Sequence, residues 1–217
     1  MSPKPAPDPD DVLVVSYLTL RKLIGVLGLV FPFVVAVGAH WIFNSEWQKS
    51  LSAYYYTGTR NVFVGTLWAI GIFLFTYPGY NHREDLLGNL AGVFALGVSL
   101  FPTACDGCTP GPVSYLHWGF AAALFLILSY FSLAFFTKTD QPKPTRRKLE
   151  RNVVYRVCGA VMLACLGAIL VINLVPSLKQ AADSTTTIFW LESATIVSFG
   201  ISWLVKGQAI LADDVQS

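Results

Sequence analysis

The sequence predicts an all-α polytopic membrane protein, a bundle of six transmembrane helices in a single domain. Of its 217 residues, 54% are hydrophobic and only 13% are charged, whereas soluble domains carry about 25% charged residues. The apolar residues form blocks of the length that a helix needs to cross a bilayer, about 20 residues. Short polar or turn-forming segments separate these blocks.

The chain begins with MSPKPAPDPD, a proline-rich segment that carries acidic residues. A secretory signal would need a basic start and a short apolar core instead, so we expect residues 1–11 to be a disordered tail with no cleavable signal. Residues 12–207 form the predicted membrane domain. Its first part, residues 12–20, is predicted to be interfacial because Arg21 and Lys22 interrupt the apolar run. Residues 208–217 form a second tail.

The six predicted spans cover residues 23–43, 60–77, 86–104, 113–137, 153–175 and 187–205. Pro32 lies inside the first span, where it removes a helix hydrogen bond and predicts a kink. In the third span Gly88 and Gly92 have the GxxxG spacing that lets helices approach closely in lipid. The fifth span has small residues at Gly159, Ala160, Ala164, Gly167 and Ala168.

The distribution of lysine and arginine predicts the orientation, since these residues are enriched on the cytoplasmic side. With the N-terminus inside, the outer side holds only Lys49, Arg60 and Lys179. The inner side holds Lys4, Arg21, Lys22, Arg83, Lys138, Lys143, Arg146, Arg147, Lys148, Arg151, Arg156 and Lys206. Both termini are therefore predicted to be cytoplasmic, in a multi-pass protein of the inner membrane.

The short loop CDGCTPGP contains Cys105 and Cys108, which this orientation places on the outer, oxidising side. A disulfide across a short turn is favoured there, with free thiols as the alternative. A zinc site would need a second pair of ligands, and a redox motif would need a helix N-terminus that lowers the thiol pKa. Cys158 and Cys165, inside the fifth span, are interpreted as small buried residues.

Polar side chains are concentrated in residues 50–65, SLSAYYYTGTRNVFVG, just before the second span. Ionisable residues inside spans are costly and are functional candidates by default; here they include His117 and Glu192, at a similar depth. We expect an outward-facing polar pocket that binds membrane lipid, with ligand contacts from Ser52, Tyr55, Arg60, His117 and Glu192. Arg60 would hold a phosphate or carboxylate.

Two other interpretations stay open for these residues. In the first, His117 and Glu192 are the catalytic acid and base of an enzyme acting on a lipid head group or acyl chain. In the second, Glu192 pairs with Arg60 or His117 only to neutralise its charge, while the tyrosines belong to the aromatic belt. A structural subunit, whose small-residue faces dock partner helices or a second copy, is a further alternative.

Several chemistries lack their usual signals. The histidines are His40, His82 and His117, and His82 is predicted on the opposite side, so a three-histidine zinc site is not expected. No GxSxG motif accompanies Ser52, and a transporter would show repeated halves or helices broken at the midplane. We therefore expect no metal, no cofactor and no nucleic-acid partner.

Short motifs along the chain occur in an order that resembles a six-span superfamily. It includes the damage-regulated autophagy modulators, the FGF-receptor-activating-protein group and Sfk-type yeast proteins, and bacterial membrane proteins of unassigned function are also similar. The matching segments are Leu51-Ser52, Thr57-Gly58 and Phe63-Val64-Gly65, Leu116-His117-Trp118-Gly119-Phe120-Ala121 leading to Tyr130, and Phe189-Trp190-Leu191-Glu192-Ser193.

The chain departs from that superfamily in two places. Tyr54–Tyr56 replace the acidic residues usual after the serine, and no tryptophan follows Glu192. The resemblance implies a six-helix bundle linked to membrane lipids, including lipid-anchor remodelling in one branch and phospholipid distribution in another.

Overall fold

The computed structural model describes residues 9–77, 79, 81–139 and 142–212, with side chains from residue 17 onward. Within these residues the protein is all-α, as predicted. The α-helices are α1 (Pro9–Trp41), α2 (Arg60–Phe75), α3 (His82–Leu100), α4 (Pro112–Tyr130), α5 (Arg146–Leu174), α6 (Pro176–Asp183) and α7 (Thr187–Lys206). A 3-10 turn (Ser52–Tyr56) precedes α2, and a π-helical segment (Phe131–Phe135) extends α4.

Four of these helices are long and apolar enough to cross a membrane, which supports the prediction of a membrane protein. They are Tyr17–Trp41 within α1, Pro112–Phe135, Arg146–Leu174 and Thr187–Lys206. Helices α2 and α3 occupy the places of the second and third predicted spans. α2 is apolar but has only 16 residues, and α3 opens with the charged run His82-Arg83-Glu84-Asp85.

Several helix boundaries differ from the predicted spans because polar caps start the helices earlier. The Asn81 side chain accepts hydrogen bonds from the backbone N–H groups of Arg83 and Glu84, each at 3.1 Å, so α3 begins at His82. Thr145 caps α5 in the same way through the N–H of Lys148, at 3.2 Å. The segment 138–152, which separates the fourth and fifth predicted spans, is thus partly helical. A capped helix begins where its first N–H groups are satisfied rather than where the apolar run starts.

Both ends of the chain also differ from the expected tails and connections. α1 is continuous from Pro9, so the predicted interfacial segment and first span form one helix, and residues 9–11 belong to it rather than to a disordered tail. Residues 1–8 and 213–217 lie outside the described residues. The segment 176–186, between the fifth and sixth predicted spans, contains α6, which starts at Pro176. A proline fits the first turn because its missing N–H would be unpaired there.

The long helices pack side by side in a closed ring, in the order α1, α2, α3, α4, α5, α7 and back to α1. The last helix therefore lies between α1 and α5. This arrangement gives the bundle two ends. The lip end contains the segment 44–59, here called the lip, together with the loop 101–111 and helix α6. The basic end contains the first turns of α3 and α5 and the last turns of α2, α7 and the π-helical segment.

Glycines allow the closest helix contacts. A Cβ atom on Gly200 of α7 would lie 2.5 Å from the Leu29 backbone nitrogen and 2.7 Å from the Gly25 carbonyl oxygen of α1. On α3, a Cβ on Gly92 would lie 2.7 Å from the carbonyl oxygen of Gly71 of α2. The close approach predicted from Gly88 and Gly92 is thus made within the chain, against α2, rather than against a partner.

Aromatic side chains fill the bundle near its basic end. Trp203 of α7 is fully buried and lies 5.1 Å from the Tyr77 ring, 5.4 Å from the Phe136 ring and 6.4 Å from the Phe131 ring, centroid to centroid. Tyr155 of α5 completes the group through Phe136, at 5.4 Å. This buried aromatic layer separates the apolar interior from the charged residues at that end.

Candidate functional site

The lip is folded back onto the helix ends by buried side chains. Tyr54, in the 3-10 turn, is 1% exposed, and its ring lies 5.8 Å from that of Phe189 on α7. The Phe189 N–H donates to the carbonyl oxygen of Lys49 at 2.9 Å. At the other end of the turn, the Thr59 hydroxyl donates to the Val35 carbonyl oxygen of α1 at 3.1 Å. These contacts fix the lip at both ends.

Three of the predicted site residues meet in one hydrogen-bonded cluster, although they come from three separate segments. The Glu192 carboxylate of α7 accepts hydrogen bonds from the backbone N–H groups of Leu51 and Ser52, at 2.6 and 3.2 Å. The Ser52 hydroxyl lies 3.4 Å from the other Glu192 oxygen and 3.0 Å from Nε2 of His117 on α4. The Ser52 hydroxyl is therefore the link between the imidazole and the carboxylate.

The second ring nitrogen of His117 determines how the cluster is hydrogen-bonded. Nδ1 lies 2.7 Å from the Phe101 carbonyl oxygen and 3.1 Å from the Val98 carbonyl oxygen, at the end of α3. Carbonyl oxygens only accept, so Nδ1 carries a proton. In the neutral ring Nε2 can only accept, so the single Ser52 hydroxyl proton is donated either to Nε2 or to the Glu192 carboxylate, and not to both at once. His117 is 2% exposed and connects α3, α4 and the lip.

This geometry has one catalytic feature and one structural feature. A serine hydroxyl within hydrogen-bond distance of an oriented imidazole nitrogen is the arrangement that activates a nucleophile. However, the backbone N–H groups of Leu51 and Ser52, the nearest donors that could stabilise an oxyanion, are already bonded to Glu192. The carboxylate thus caps the start of the 3-10 turn, as an acidic side chain caps a helix N-terminus.

Arg60 and Tyr55, the other two predicted ligand residues, form a separate pair at the start of α2. The Arg60 guanidinium lies over the Tyr55 ring, 4.3 Å from its centroid, and donates to the Tyr55 hydroxyl. Arg60 is exposed, and no carboxylate among the described residues forms an ion pair with it. The interpretation that Glu192 pairs with Arg60 is therefore wrong, because the Glu192 carboxylate bonds to the lip backbone.

The loop next to the lip is held by two cross-links. Cys105 and Cys108 are joined by a disulfide, with their Cα atoms 5.2 Å apart. Between them, the exposed Asp106 accepts a hydrogen bond from Lys49 of the lip at 2.8 Å. That bond, and then the Lys49 charge, lower the pKa of Asp106. Cys158 and Cys165 are free thiols buried in α5.

Two other polar residues, on α1 and α5, take no part in the cluster. His40 bonds locally, with Nδ1 3.2 Å from the Ser45 carbonyl oxygen. Asn173 is exposed on α5 and donates to the Ile169 carbonyl oxygen of its own helix, at 2.8 Å. Among the described residues, no group of three or more His, Cys, Asp or Glu side chains could hold a metal ion.

A cavity of about 610 Å³ lies at the basic end and was not predicted from the sequence. Its described lining consists of Arg21, Asn81, Glu84, Phe135, Lys138, Lys148, Arg151, Tyr155, Lys206 and Gln208. The cations were visible in the sequence but were used only to predict orientation. Their convergence could not be predicted without knowing that α7 packs between α1 and α5.

In comparisons with known proteins, no protein-family model, curated protein or solved structure matches the chain. Its function has to be inferred from the residues and their geometry.

Proposed function

We propose that this is a six-span protein of the inner membrane, with both termini in the cytoplasm, that binds a phosphate-bearing membrane lipid at its lip end. In this topology α2 and α3 cross the bilayer as an adjoining pair inside the ring, and the lip faces the outer leaflet. The scarcity of lysine and arginine at the lip end supports that orientation. The proposed activity is binding, with no metal or cofactor.

The observation that carries the proposal is that Arg60 is exposed and has no carboxylate partner among the described residues. Its guanidinium is exposed at the start of α2 and lies on a tyrosine ring rather than on a carboxylate. A planar guanidinium with free N–H groups suits the paired oxygens of a phosphate. Tyr56, whose hydroxyl donates to the Thr103 carbonyl oxygen at 2.6 Å, provides a second half-exposed ring beside this pair. Such rings are typical of the head-group level of a bilayer.

Substitution of Arg60 tests the proposal. The R60Q variant keeps a long polar side chain but removes the charge, and we expect it to bind short-chain phosphatidylglycerol about tenfold more weakly than the wild type. The control is K179Q, which removes an exposed cation of α6 at the same end and should bind as the wild type does. Binding would be measured by native mass spectrometry in mild detergent. Equal affinities for R60Q and K179Q would contradict the proposal.

An enzyme is the second candidate, and it is favoured by the 3.0 Å contact between Ser52 Oγ and His117 Nε2. In that case Ser52 is the nucleophile and His117 the base, and Glu192 must move off the lip backbone before an oxyanion can bind there. S52A and H117A would each abolish turnover of lipids in a total polar lipid extract, followed by mass spectrometry, while lipid binding survives. Absence of turnover by the wild-type protein would exclude this candidate.

A structural subunit is the third candidate, and the exposed small residues Ala160, Ala164 and Gly167 on α5 favour it. These residues form a face on which another helix could approach closely. A stoichiometric protein partner, or a second copy, retained after gentle detergent extraction would support it. The resemblance to the six-span superfamily implies a link to membrane lipids, so it supports the lipid-binding proposal and not the structural subunit. The binding measurements described for R60Q test that link.

A further inference from the structure

Four aromatic side chains lie along the lip end, where α2 begins, α3 ends and α4 begins. They are Tyr55, Tyr56, Tyr115 and Trp118, here called the aromatic arc. The rings of Tyr55 and Tyr56 are 5.3 Å apart, centroid to centroid, and those of Tyr115 and Trp118 are 5.5 Å apart. Thr103, just after α3, joins the two pairs: its carbonyl oxygen accepts from the Tyr56 hydroxyl at 2.6 Å, and its hydroxyl oxygen accepts from Trp118 Nε1 at 3.3 Å.

The polar atoms of Tyr56 and Trp118 are engaged with Thr103, whereas their rings remain accessible. Tyr56, Tyr115 and Trp118 are between 39% and 60% exposed. Among the described residues, the only cation that lies over a ring of the arc is Arg60, over Tyr55. The other three rings are therefore available to a ligand, and hydrogen bonds hold two of them in place before it arrives. Such preorganisation reduces the ordering cost of binding.

Accessible aromatic rings of this kind favour a cationic ligand group. The face of a ring attracts a cation within about 6 Å of its centroid, and quaternary ammonium groups are recognised in this way. The guanidinium of Arg60, 4.3 Å from the Tyr55 centroid, shows such a contact within the arc itself. The carboxylate nearest to Thr103 along the chain, Asp106, is already paired with Lys49 at 2.8 Å. The rings are therefore the uncommitted groups that a ligand cation would meet here.

The arc adjoins the proposed phosphate site. The Tyr55 ring contacts both the Arg60 guanidinium, at 4.3 Å, and the Tyr56 ring, at 5.3 Å. A group that binds an anion is thus next to rings that bind a cation. The exposed side chains of Leu100 and Leu116, at the end of α3 and the start of α4, provide apolar surface on the same side. A lipid head group that carries both charges, with acyl chains beside it, is complementary to this arrangement.

We propose that the aromatic arc selects the head group of the lipid bound at the lip end. The ligand is a zwitterionic phospholipid: Arg60 holds its phosphate, and Tyr56 and Trp118 contact its ammonium group. The inference rests on the proposed lipid binding at Arg60 and adds the chemical class of the head group. Trp118 and Tyr56 are then the residues that determine specificity.

The test compares two lipids that differ only in the head-group alcohol. Dihexanoyl phosphatidylcholine carries a quaternary ammonium, and dihexanoyl phosphatidylglycerol carries none. Isothermal titration of the full-length protein in a maltoside detergent gives both affinities, and the readout is their ratio. We expect W118L and Y56L, which keep an apolar side chain but lose the aromatic face, each to lower the ratio of choline to glycerol affinity about threefold or more.

Three further variants identify what the ratio reports. Y56F keeps the ring without the hydroxyl and should keep the wild-type ratio. W190L removes an exposed tryptophan of α7 outside the arc and should also leave the ratio unchanged. In D106N a carboxylate of the neighbouring loop is lost. A lower ratio in D106N together with a wild-type ratio in W118L would overturn the proposal, because the ammonium would then be held by the aspartate.

Failure of this inference is distinguishable from failure of the proposed function. If R60Q weakens both lipids while W118L and Y56L keep the wild-type ratio, lipid binding at Arg60 stands and selection by the arc is overturned. If the wild type binds neither lipid, both fall. Glycerophosphocholine has the same charged groups without acyl chains and should bind about tenfold more weakly than dihexanoyl phosphatidylcholine. Equal affinities for these two probes would overturn the assignment to a membrane lipid in favour of a soluble ester.

Discussion

At the scale of single residues, the cluster of Ser52, His117 and Glu192 shows how one carboxylate can be accommodated inside an apolar bundle. A polar group inside an apolar bundle is tolerated when hydrogen bonds satisfy it. Glu192 accepts from two backbone N–H groups and lies near a hydroxyl. The same bonds position the lip above the helix ends. These contacts therefore mainly hold the lip in place. The positions of Tyr55 and Arg60 depend on that placement.

Removal of the Glu192 carboxylate should destabilise the lip. In E192A the N–H groups of Leu51 and Ser52 lose their acceptor, and each unsatisfied donor costs about 1–3 kcal/mol. We expect a lower unfolding temperature in detergent, measured by circular dichroism. E46A is the control, because Glu46 is an exposed lip residue whose loss should change the unfolding temperature little. A wild-type unfolding temperature for E192A would show that the carboxylate is not structural.

The Lys49–Asp106 pair should make a small contribution to stability that depends on pH. The Lys49 hydrogen bond, followed by its charge, lowers the pKa of Asp106. The contribution of the aspartate is therefore present above its unfolded pKa, about 3.9, and is lost as pH falls through the lower folded value. The hydrogen bond that Lys49 donates to Asp106 raises the pKa of Lys49. The contribution of Lys49 to stability is complete below the unfolded pKa of lysine, about 10.4. It is lost as pH rises through the higher pKa of Lys49 in the folded protein.

The measurement is the difference in unfolding temperature between wild type and D106N across this pH range. We expect a small positive difference near neutral pH that disappears at acidic pH and decreases in high salt, because both groups are exposed. A difference that is constant with pH would mean that Asp106 acts through something other than its charge.

At the scale of helices, close packing depends on glycines whose role the local sequence does not reveal. Gly88 and Gly92 have a recognisable spacing and indeed face α2. Gly25, Gly28 and Gly200 bring α1 and α7 together, although these are the first and last helices along the chain. The two glycines of the fifth span differ, since a Cβ on Gly159 would lie 2.4 Å from the Leu133 side chain, whereas a Cβ on Gly167 would have nothing within 4 Å. Small-residue spacing thus predicts that a helix can approach another, but not which helix it meets.

A pair of alanine substitutions distinguishes a glycine packed against another helix from a glycine with open space around it. In G200A the new Cβ would lie 2.5 Å from the Leu29 nitrogen, and such overpacking costs about 1–3 kcal/mol. In G167A nothing lies within 4 Å of the new Cβ, and alanine favours the helix by about 0.5–1 kcal/mol. We expect G200A to lower and G167A to keep or raise the unfolding temperature. The opposite order would contradict the packing of α1 against α7.

At the scale of the whole molecule, the proposed topology has a direct test. Single cysteines introduced at Lys179 and Arg147 into a protein lacking all four native cysteines should differ in reaction with a membrane-impermeant maleimide on intact cells. Arg147 lies in the first turn of the helix Arg146–Leu174, which is able to cross a membrane, and Lys179 lies just beyond its other end. Labelling at 179 but not at 147 is expected if the basic end is cytoplasmic. Labelling of both, or only of 147, would reject the orientation.

Much of the architecture could be predicted from the sequence because it depends on local patterns. Apolar blocks must bury themselves in lipid or in each other, and their backbone groups can be satisfied there only within helices. The all-α fold and the helices able to cross a membrane follow from that requirement. Helix starts were less predictable, since the caps at Asn81 and Thr145 lie outside the apolar runs. The depth of His117 and Glu192 also followed from their positions along their helices.

The sequence by itself therefore determined the class of protein and the set of polar residues at the lip end, because both depend on hydrophobicity and on position along a helix. Only the tertiary structure decided which of those residues meet. It joined Ser52 to His117 and Glu192, separated Arg60 from them, and gathered five cations around a cavity at the other end. The physical reason is that these contacts depend on the order of helices in the ring, which is set by long-range packing.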